Sequence, residues 1–124
     1  MNERGPLWRM WGSIPMDRVR VYDSLTENLK VLEFDRPDLH GCVFRASREQ
    51  CLITVANLGK ATSGVMTIDM PSAGLVGTYH VTRMSGADDG TLVMRDAGTT
   101  TGSVEIERLE QDAFRGYKLD RVGQ

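Results

Sequence analysis

Two glutamates one residue apart, Glu105 and Glu107, are the first side chains in this sequence whose spacing could do chemistry. A pair of carboxyls can supply the acid and the base or nucleophile that hydrolysis of a glycosidic bond requires. On a strand the two would share one face, with Cβ atoms about 7 Å apart. The reaction also requires a cleft and surroundings that keep one carboxyl protonated. The polar sequence on both sides favours a solvated strand face instead, so we expect no catalytic residue here.

The stretch "ITVANLGKATSG", residues 53–64, comes close to a phosphate-binding loop. That loop needs a glycine, four residues, and then Gly-Lys followed directly by Ser or Thr. Gly59 and Lys60 are in place, but Thr54 stands where the first glycine belongs and Ala61 where the hydroxyl belongs. The residues that follow alternate between apolar and polar, which is typical of a strand and not of the helix that a phosphate-binding loop needs. We therefore predict a strand, a turn and a strand.

Sulfur chemistry is limited to Cys42 and Cys51. Their spacing fits no zinc site, which would need two more ligands close by. If residues 42–46 and 51–55 form a hairpin, Cys51 faces Ala46 and not Cys42. We therefore expect two reduced cysteines in or near the core.

The histidines and the paired aspartates form no recognisable catalytic or metal-binding motif. His40 lies two residues from Cys42, so both would share a strand face, but no acid is placed to orient the imidazole as in a catalytic triad. Asp88 and Asp89 lack the alternating oxygen ligands and the later glutamate of a calcium loop, so we interpret them as a polar turn. We expect no metal and no cofactor.

Composition excludes several classes of partner. The chain has 124 residues, with 40% hydrophobic and 26% charged residues and a net charge of −2, which suits one soluble domain. No basic stripe indicates a nucleic-acid partner. The opening "MNERGPLWRMWGSIPM" contains neither a secretory signal nor a membrane span, so we expect no membrane partner and a cytoplasmic location.

Short runs rich in Val, Ile, Thr, Tyr and Met alternate with glycine-containing polar turns through the second half of the chain. Their length and spacing are typical of an all-β fold. We predict an antiparallel two-sheet β-sandwich of about eight strands over residues 29–124. The run "LITVA" is apolar on both faces and should therefore be a central strand. The predicted strands are residues 29–34, 41–46, 51–57, 65–70, 79–84, 91–96, 103–108 and 114–120.

Residues 1–28 differ and are predicted to form an N-terminal arm with a short helix. Ser13 can cap a helix over residues 15–27, Pro15 suits its first turn, and Val21 and Leu25 recur at helical spacing. A strand at "VRVY" is the competing interpretation. The arm is apolar enough to be an interface. In isolation it would either fold back over a sheet face or pair with a second copy in a dimer, which we favour. The interface residues are Trp8, Trp11, Ile14, Val21 and Leu25.

Residues 43–86, from "VFRASREQ" to "VTRMSG", resemble the C-terminal β-sandwich that follows the catalytic barrel in many glycoside hydrolases, those of the alpha-amylase-like and alpha-galactosidase-like clans among them. The likeness lies in "LITVAN" ending at Asn57, in "IDMPSAG", and in "G-x-Y-x-V" followed by a Ser-Gly turn. It covers residues 29–119 well and residues 6–28 weakly. The family's catalytic carboxyls lie on the barrel, so the resemblance implies none in this chain.

Three functional hypotheses follow. The resemblance implies a non-catalytic accessory module that packs on and stabilises a glycoside-hydrolase-like barrel. A carbohydrate-binding module would need outward aromatic side chains as stacking platforms, and the alternation shows no row of them. A small free-standing ligand-binding or enzymatic β domain would need a deep polar pocket, for example around His40 and Cys42.

Because residues 53–64 lack the glycine, the hydroxyl position and the helix of a phosphate-binding loop, they should bind no nucleotide. Calorimetric titration of the chain with ATP and Mg²⁺ is expected to give no heat beyond dilution. A micromolar affinity that disappears in Lys60→Ala would contradict this interpretation.

Overall fold

The computed structural model of the chain describes residues 20–23, 31–86 and 91–122, the first of these segments by its backbone alone. These residues form two antiparallel sheets, one of six strands in the order β1-β3-β4-β9-β6-β7 and one of three in the order β2-β5-β8. None of the described residues belongs to a helix that could cross a membrane. The strands are β1 (Arg20–Asp23), β2 (Leu32–Phe34), β3 (Leu39–Arg45), β4 (Gln50–Asn57), β5 (Thr62–Ile68), β6 (Tyr79–Gly86), β7 (Leu92–Thr100), β8 (Ser103–Leu109) and β9 (Phe114–Arg121).

The predicted all-β sandwich is confirmed, and each of the eight predicted strands is present with ends shifted by a few residues. Alternation assigns the faces correctly: in β8, Val104 and Ile106 are buried while Glu105 and Glu107 are exposed. The run "LITVA" lies in β4, which has β3 on one side and β9 on the other. Its inner face carries the buried Cys51, Ile53 and Val55 and its outer face the buried Leu52, which explains the apolar residues on both faces.

The helix predicted over residues 15–27 is wrong where the structure can test it. Arg20–Asp23 form β1, which pairs with β3 and places Val21 opposite Phe44. The competing interpretation, a strand at "VRVY", is therefore correct. Residues 20–23 form a strand and not a helix because the edge of β3 offers a row of backbone hydrogen-bonding partners. The segment contains a β-branched residue and alternates, which suits a strand. Residues 15–19 and 24–27 lie outside the described residues.

The main core fills the space between the two sheets. The larger sheet supplies buried residues such as Val43, Ile53 and Leu119, and the smaller sheet supplies Met66 and Ile106. Since three strands can cover only about half of a six-stranded sheet, part of the larger sheet's inner face lies beyond the smaller sheet. That part lies towards β7, whose residues 94–99 are exposed, because β2 packs against β3 at the opposite side.

Asn57 joins the two sheets at the end of β4. Its side chain is fully buried, and its amide nitrogen donates to the carbonyl oxygen of Lys60 at 2.8 Å and to that of Leu109, at the end of β8, at 2.9 Å. The side-chain oxygen accepts from the N–H of Gly59 at 3.0 Å, and the backbone carbonyl accepts from Asp112 at 2.8 Å. Every polar group of this buried side chain is therefore paired, as burial requires.

Replacing Asn57 should destabilise the whole sandwich, since Asn57→Ala leaves the buried carbonyl of Leu109, the part-buried carbonyl of Lys60 and the N–H of Gly59 without their partner. We expect a loss of about 3 kcal/mol in the free energy of unfolding, measured by urea denaturation. Leu58→Ala is the control, because the neighbouring Leu58 is 60% exposed and its loss should cost less than about 0.5 kcal/mol. Equal stability of Asn57→Ala and Leu58→Ala would show that the Asn57 hydrogen bonds do not hold the sheets together.

Candidate functional site

A polar cleft of about 240 Å³ lies where the inner face of the larger sheet extends beyond the smaller sheet. Its walls come from β6 and β7 on one side and from β8 on the other, and the buried ring of Tyr117 forms part of its floor. The cleft exists because the sandwich is open along this edge, where β8 ends the smaller sheet and β7 ends the larger one. The lining residues are Val81, Arg83, Ala97, Thr99, Thr100, Ser103, Val104, Glu105, Glu107 and Tyr117.

Two inward-facing arginines of the larger sheet close this edge by reaching to β8. Arg83, with a side chain 21% exposed, forms an ion pair with the carboxylate of Glu107. Arg115 donates from Nη1 to the carbonyl oxygen of Glu107 at 2.7 Å and from Nη2 to that of Arg108 at 2.9 Å. Guanidinium groups suit this position because their charged heads bind backbone and carboxylate oxygens while their stems pack on the core.

The phenol of Tyr117 is the most altered titratable group of the cleft. Burial raises its pKa, and the opposing influences are the hydrogen bond that Arg115 Nη1 donates to its oxygen at 3.4 Å and the positive charges of Arg115 and Arg83. The phenol therefore stays protonated through neutral pH and acts in the cleft as a hydrogen-bonding group.

The two glutamates predicted to share a strand face do so, and both are exposed. The carboxylate of Glu107 is 70% exposed and forms an ion pair with Arg83, so it lies in water and already has a charged partner. The cleft is also smaller than the roughly 300–1,000 Å³ of most small-molecule sites. The arrangement can hydrogen-bond a small polar group, but it gives neither carboxyl the shielded surroundings that acid catalysis needs.

Residues 53–64 form a strand, a turn and a strand, as predicted: β4 ends at Asn57 and β5 begins at Thr62. The N–H of Gly59, which would face a phosphate in a nucleotide site, donates to Asn57 instead. Lys60 is exposed, and its carbonyl oxygen is the acceptor of the Asn57 amide. The Gly-Lys pair therefore belongs to the turn that Asn57 organises.

Both cysteines are reduced thiols, with Cys51 buried and Cys42 half-buried, as predicted. The hairpin register was wrong by one residue, because Cys51 lies opposite Arg45 and not opposite Ala46. The turn closes on the N–H groups of residues 46 and 47, which both donate to the carbonyl oxygen of Gln50, and this fixes the pairing one residue earlier. His40 and Cys42 share the outer face of β3, and neither lines the cleft.

No group of three or more His, Cys, Asp or Glu side chains within the described ranges could hold a metal ion. The second histidine, His80, binds Asp96 at 3.0 Å on the exposed surface. Asp88 and Asp89 lie outside the described residues. Of the predicted interface residues, Val21 lies in β1, where only the backbone is described, and the others are outside the described residues: Trp8, Trp11, Ile14 and Leu25.

Sequence reasoning missed a second apolar cluster, on the outer face of the larger sheet. Leu52 and Met84 are fully buried there, with Phe44 and Phe114 packed against them. The double-sided apolar run in β4 and the alternation in β6, which puts Met84 on the face of His80, are the sequence signals that could have revealed it.

Comparison with known proteins supports the fold. No protein-family model matches the chain, and no curated protein matches it. Among solved structures, the chain is similar to a GH27 β-L-arabinopyranosidase from Geobacillus stearothermophilus in complex with arabinose, with a TM-score of 0.50 and 10% sequence identity. The match covers 71% of this chain and 18% of that enzyme. The fold-level resemblance to glycoside hydrolase C-terminal sandwiches is therefore confirmed.

Cys51 should make the stability of the fold depend on pH above pH 9. Burial raises the pKa of its thiol from 9.0 to about 12, against the opposing charge of Arg45. Below pH 9 the thiol is protonated in both states, whereas at higher pH only the unfolded chain loses the proton, so stability falls as pH rises. Between pH 8 and pH 10, the free energy of unfolding measured in urea should fall by about 1 kcal/mol more for the unsubstituted chain than for Cys51→Ala.

Alkylation provides the control for this effect, because half-buried Cys42 should react with iodoacetamide in the folded chain while Cys51 reacts only after unfolding. Equal pH dependence in the native chain and in Cys51→Ala, together with equal alkylation of both thiols, would contradict the buried, protonated state of Cys51.

Proposed function

We propose that this chain is a non-catalytic accessory β-sandwich module of a glycoside-hydrolase-like protein, which packs on and stabilises a catalytic barrel. The observation that carries the proposal is the fold similarity to a segment of a glycoside hydrolase, since the match occupies 71% of this chain but only 18% of that enzyme. In a protein of that kind the sandwich is a minor part of the mass, and the remainder carries the chemistry.

The geometry of the open edge supports an accessory role. The cleft contains two carboxylates, but Glu107 is held by Arg83 and both glutamates are in water. Arg83 and Arg115 act as ties between the sheets, and Asn57 performs the same task at the end of β4. The buried polar groups of this sandwich thus serve its rigidity, which a supporting domain needs.

The partner in this proposal is the barrel, or a second copy of the chain where no barrel is present, and the contact is made through the N-terminal arm. Its two tryptophans and Ile14 are large apolar side chains, each worth about 1.5–3 kcal/mol when buried. A cytoplasmic location, the absence of a nucleic-acid or membrane partner and the boundary at residue 28 remain predictions from the sequence.

A carbohydrate-binding module is the second candidate, and the polar cleft is the observation that favours it. The hydroxyls of Thr99 and Tyr117, the carboxylate of Glu105 and the guanidinium of Arg83 are groups that hydrogen-bond sugar hydroxyls. Titration with arabinose, galactose and their oligosaccharides, followed by amide chemical shifts, distinguishes the two candidates. Shifts confined to the cleft and lost in Arg83→Met would favour sugar binding.

The accessory role predicts that the isolated chain has no glycosidase activity and that its natural assembly does. Against a panel of aryl-glycosides, the purified chain and its Glu105→Gln and Glu107→Gln variants should all give background rates. Protein immunopurified from the source cells with antibodies against the sandwich should hydrolyse at least one of these substrates. The control is the same purification with pre-immune serum.

Two results would overturn the proposal. Turnover by the isolated chain that disappears in Glu105→Gln or Glu107→Gln would make the chain an enzyme in its own right. An immunopurified native protein of 13.8 kDa without any glycosidase activity would show that the sandwich is not attached to a catalytic barrel.

A further inference from the structure

Leu52 and Met84 on the outer face of the larger sheet are buried, although no described element lies over that face. Leu52 and Met84 point away from the smaller sheet, since their strand neighbours Cys51, Ile53 and Val81 belong to the core between the sheets. Both side chains nevertheless have no exposed surface. On the open face of a sheet, a side chain flanked only by its strand neighbours keeps contact with water along its outward end.

None of the described elements packs on this face. The smaller sheet packs on the opposite face, and the described loops connect strands at the ends of the two sheets. We define the outer patch as Phe44, Leu52, Met84, Leu92 and Phe114, which form a cluster separate from the main core. A patch of this composition is one that soluble proteins bury.

We propose that residues 1–19 of the same chain dock on the outer patch. This segment carries both tryptophans of the chain, Trp8 and Trp11, together with Leu7, Met10 and Ile14. The alternatives within the chain are residues 24–30, which contain two leucines, and the polar residues 87–90. Only residues 1–19 contain aromatic side chains large enough to cover several positions of the patch at once.

The topology places the start of β1 next to the outer patch. Residue 19 leads directly into β1, and β1 pairs with β3 so that Val21 lies opposite Phe44, a member of the outer patch. The backbone of residue 21 is therefore paired, at the edge of the sheet, with a member of the patch. The sheet is about 24 Å across at about 4.8 Å per strand, and nineteen extended residues span up to about 60 Å.

The inference goes beyond the proposed function and does not rest on it. If both hold, the arm lies between the sandwich and the barrel, and the barrel contacts the sheet through the arm.

Tryptophan fluorescence tests the docking directly, since both tryptophans of the chain are in the segment concerned. In the full chain at low concentration, the emission should be blue-shifted and quenched by acrylamide at least twofold less than in the urea-unfolded chain. Leu52→Thr and Phe44→Thr should restore the quenching while the strand signal in circular dichroism persists, because threonine suits a strand. Val65→Thr, on the outer face of the smaller sheet, is the control and should change nothing.

Phe44→Thr keeps the test decisive if Leu52→Thr fails to fold, since Phe44 is only half-buried at the rim of the patch. Folded chains whose tryptophans are as accessible as in urea would overturn the proposal. So would protection that appears only as sedimentation shows a dimer, because the arm would then cover a second copy. Neither outcome involves a barrel or a sugar, so failure here is distinct from failure of the accessory role.

Discussion

The side-chain amide of Asn57 is the interaction on which the rest of this sandwich depends. It ends the central strand β4, shapes the turn into β5 and binds the last carbonyl of β8, so one buried group fixes the relative position of both sheets. Burying an amide costs free energy unless each of its polar atoms is paired, and here each one is. The same pairing explains why a Gly-Lys sequence follows Asn57 without forming a nucleotide site: the Gly59 N–H and the Lys60 carbonyl are used within the turn.

The unequal size of the two sheets determines what else the molecule must do. Six strands facing three leave an inner surface near β6 and β7, where Arg83 and Arg115 tie the larger sheet to β8 and a small polar cleft remains. The same larger sheet has an outer face with its own apolar cluster around Leu52 and Met84. The inner face of the larger sheet is thus closed at its edge by arginines, and its outer face carries buried apolar side chains. Both arrangements rigidify the domain, and its described residues offer no shielded acid–base pair.

Much of this fold could be predicted from the sequence, because alternation reports directly which strand face meets the core. The burial of Val104 and Ile106 and the exposure of Glu105 and Glu107 follow from it, as does the central place of β4. Alternation could not decide between helix and strand for residues 20–23, since the pairing of β1 depends on the distant edge of β3. The cleft was also beyond prediction: Arg83 and Glu107 are 24 positions apart and meet only through the packing of two sheets. The Asn57 bonds were signalled only by the "LITVAN" pattern, in which an apolar run ends at an asparagine, and the pattern does not say what that asparagine binds.

Native-state hydrogen exchange tests most directly whether Asn57 makes the two sheets one cooperative unit. The N–H groups of Gly59 and Asp112 lie in turns, where Gly59 donates to the side-chain oxygen of Asn57 and Asp112 to its backbone carbonyl, whereas the N–H of Ile53 lies in the middle of β4. If Asn57 holds the sheets together, the turn amides should exchange only through global unfolding, with the same free energy of opening and the same denaturant dependence as Ile53. Exchange of Gly59 and Asp112 through local opening, at a free energy far below that of Ile53, would contradict the account.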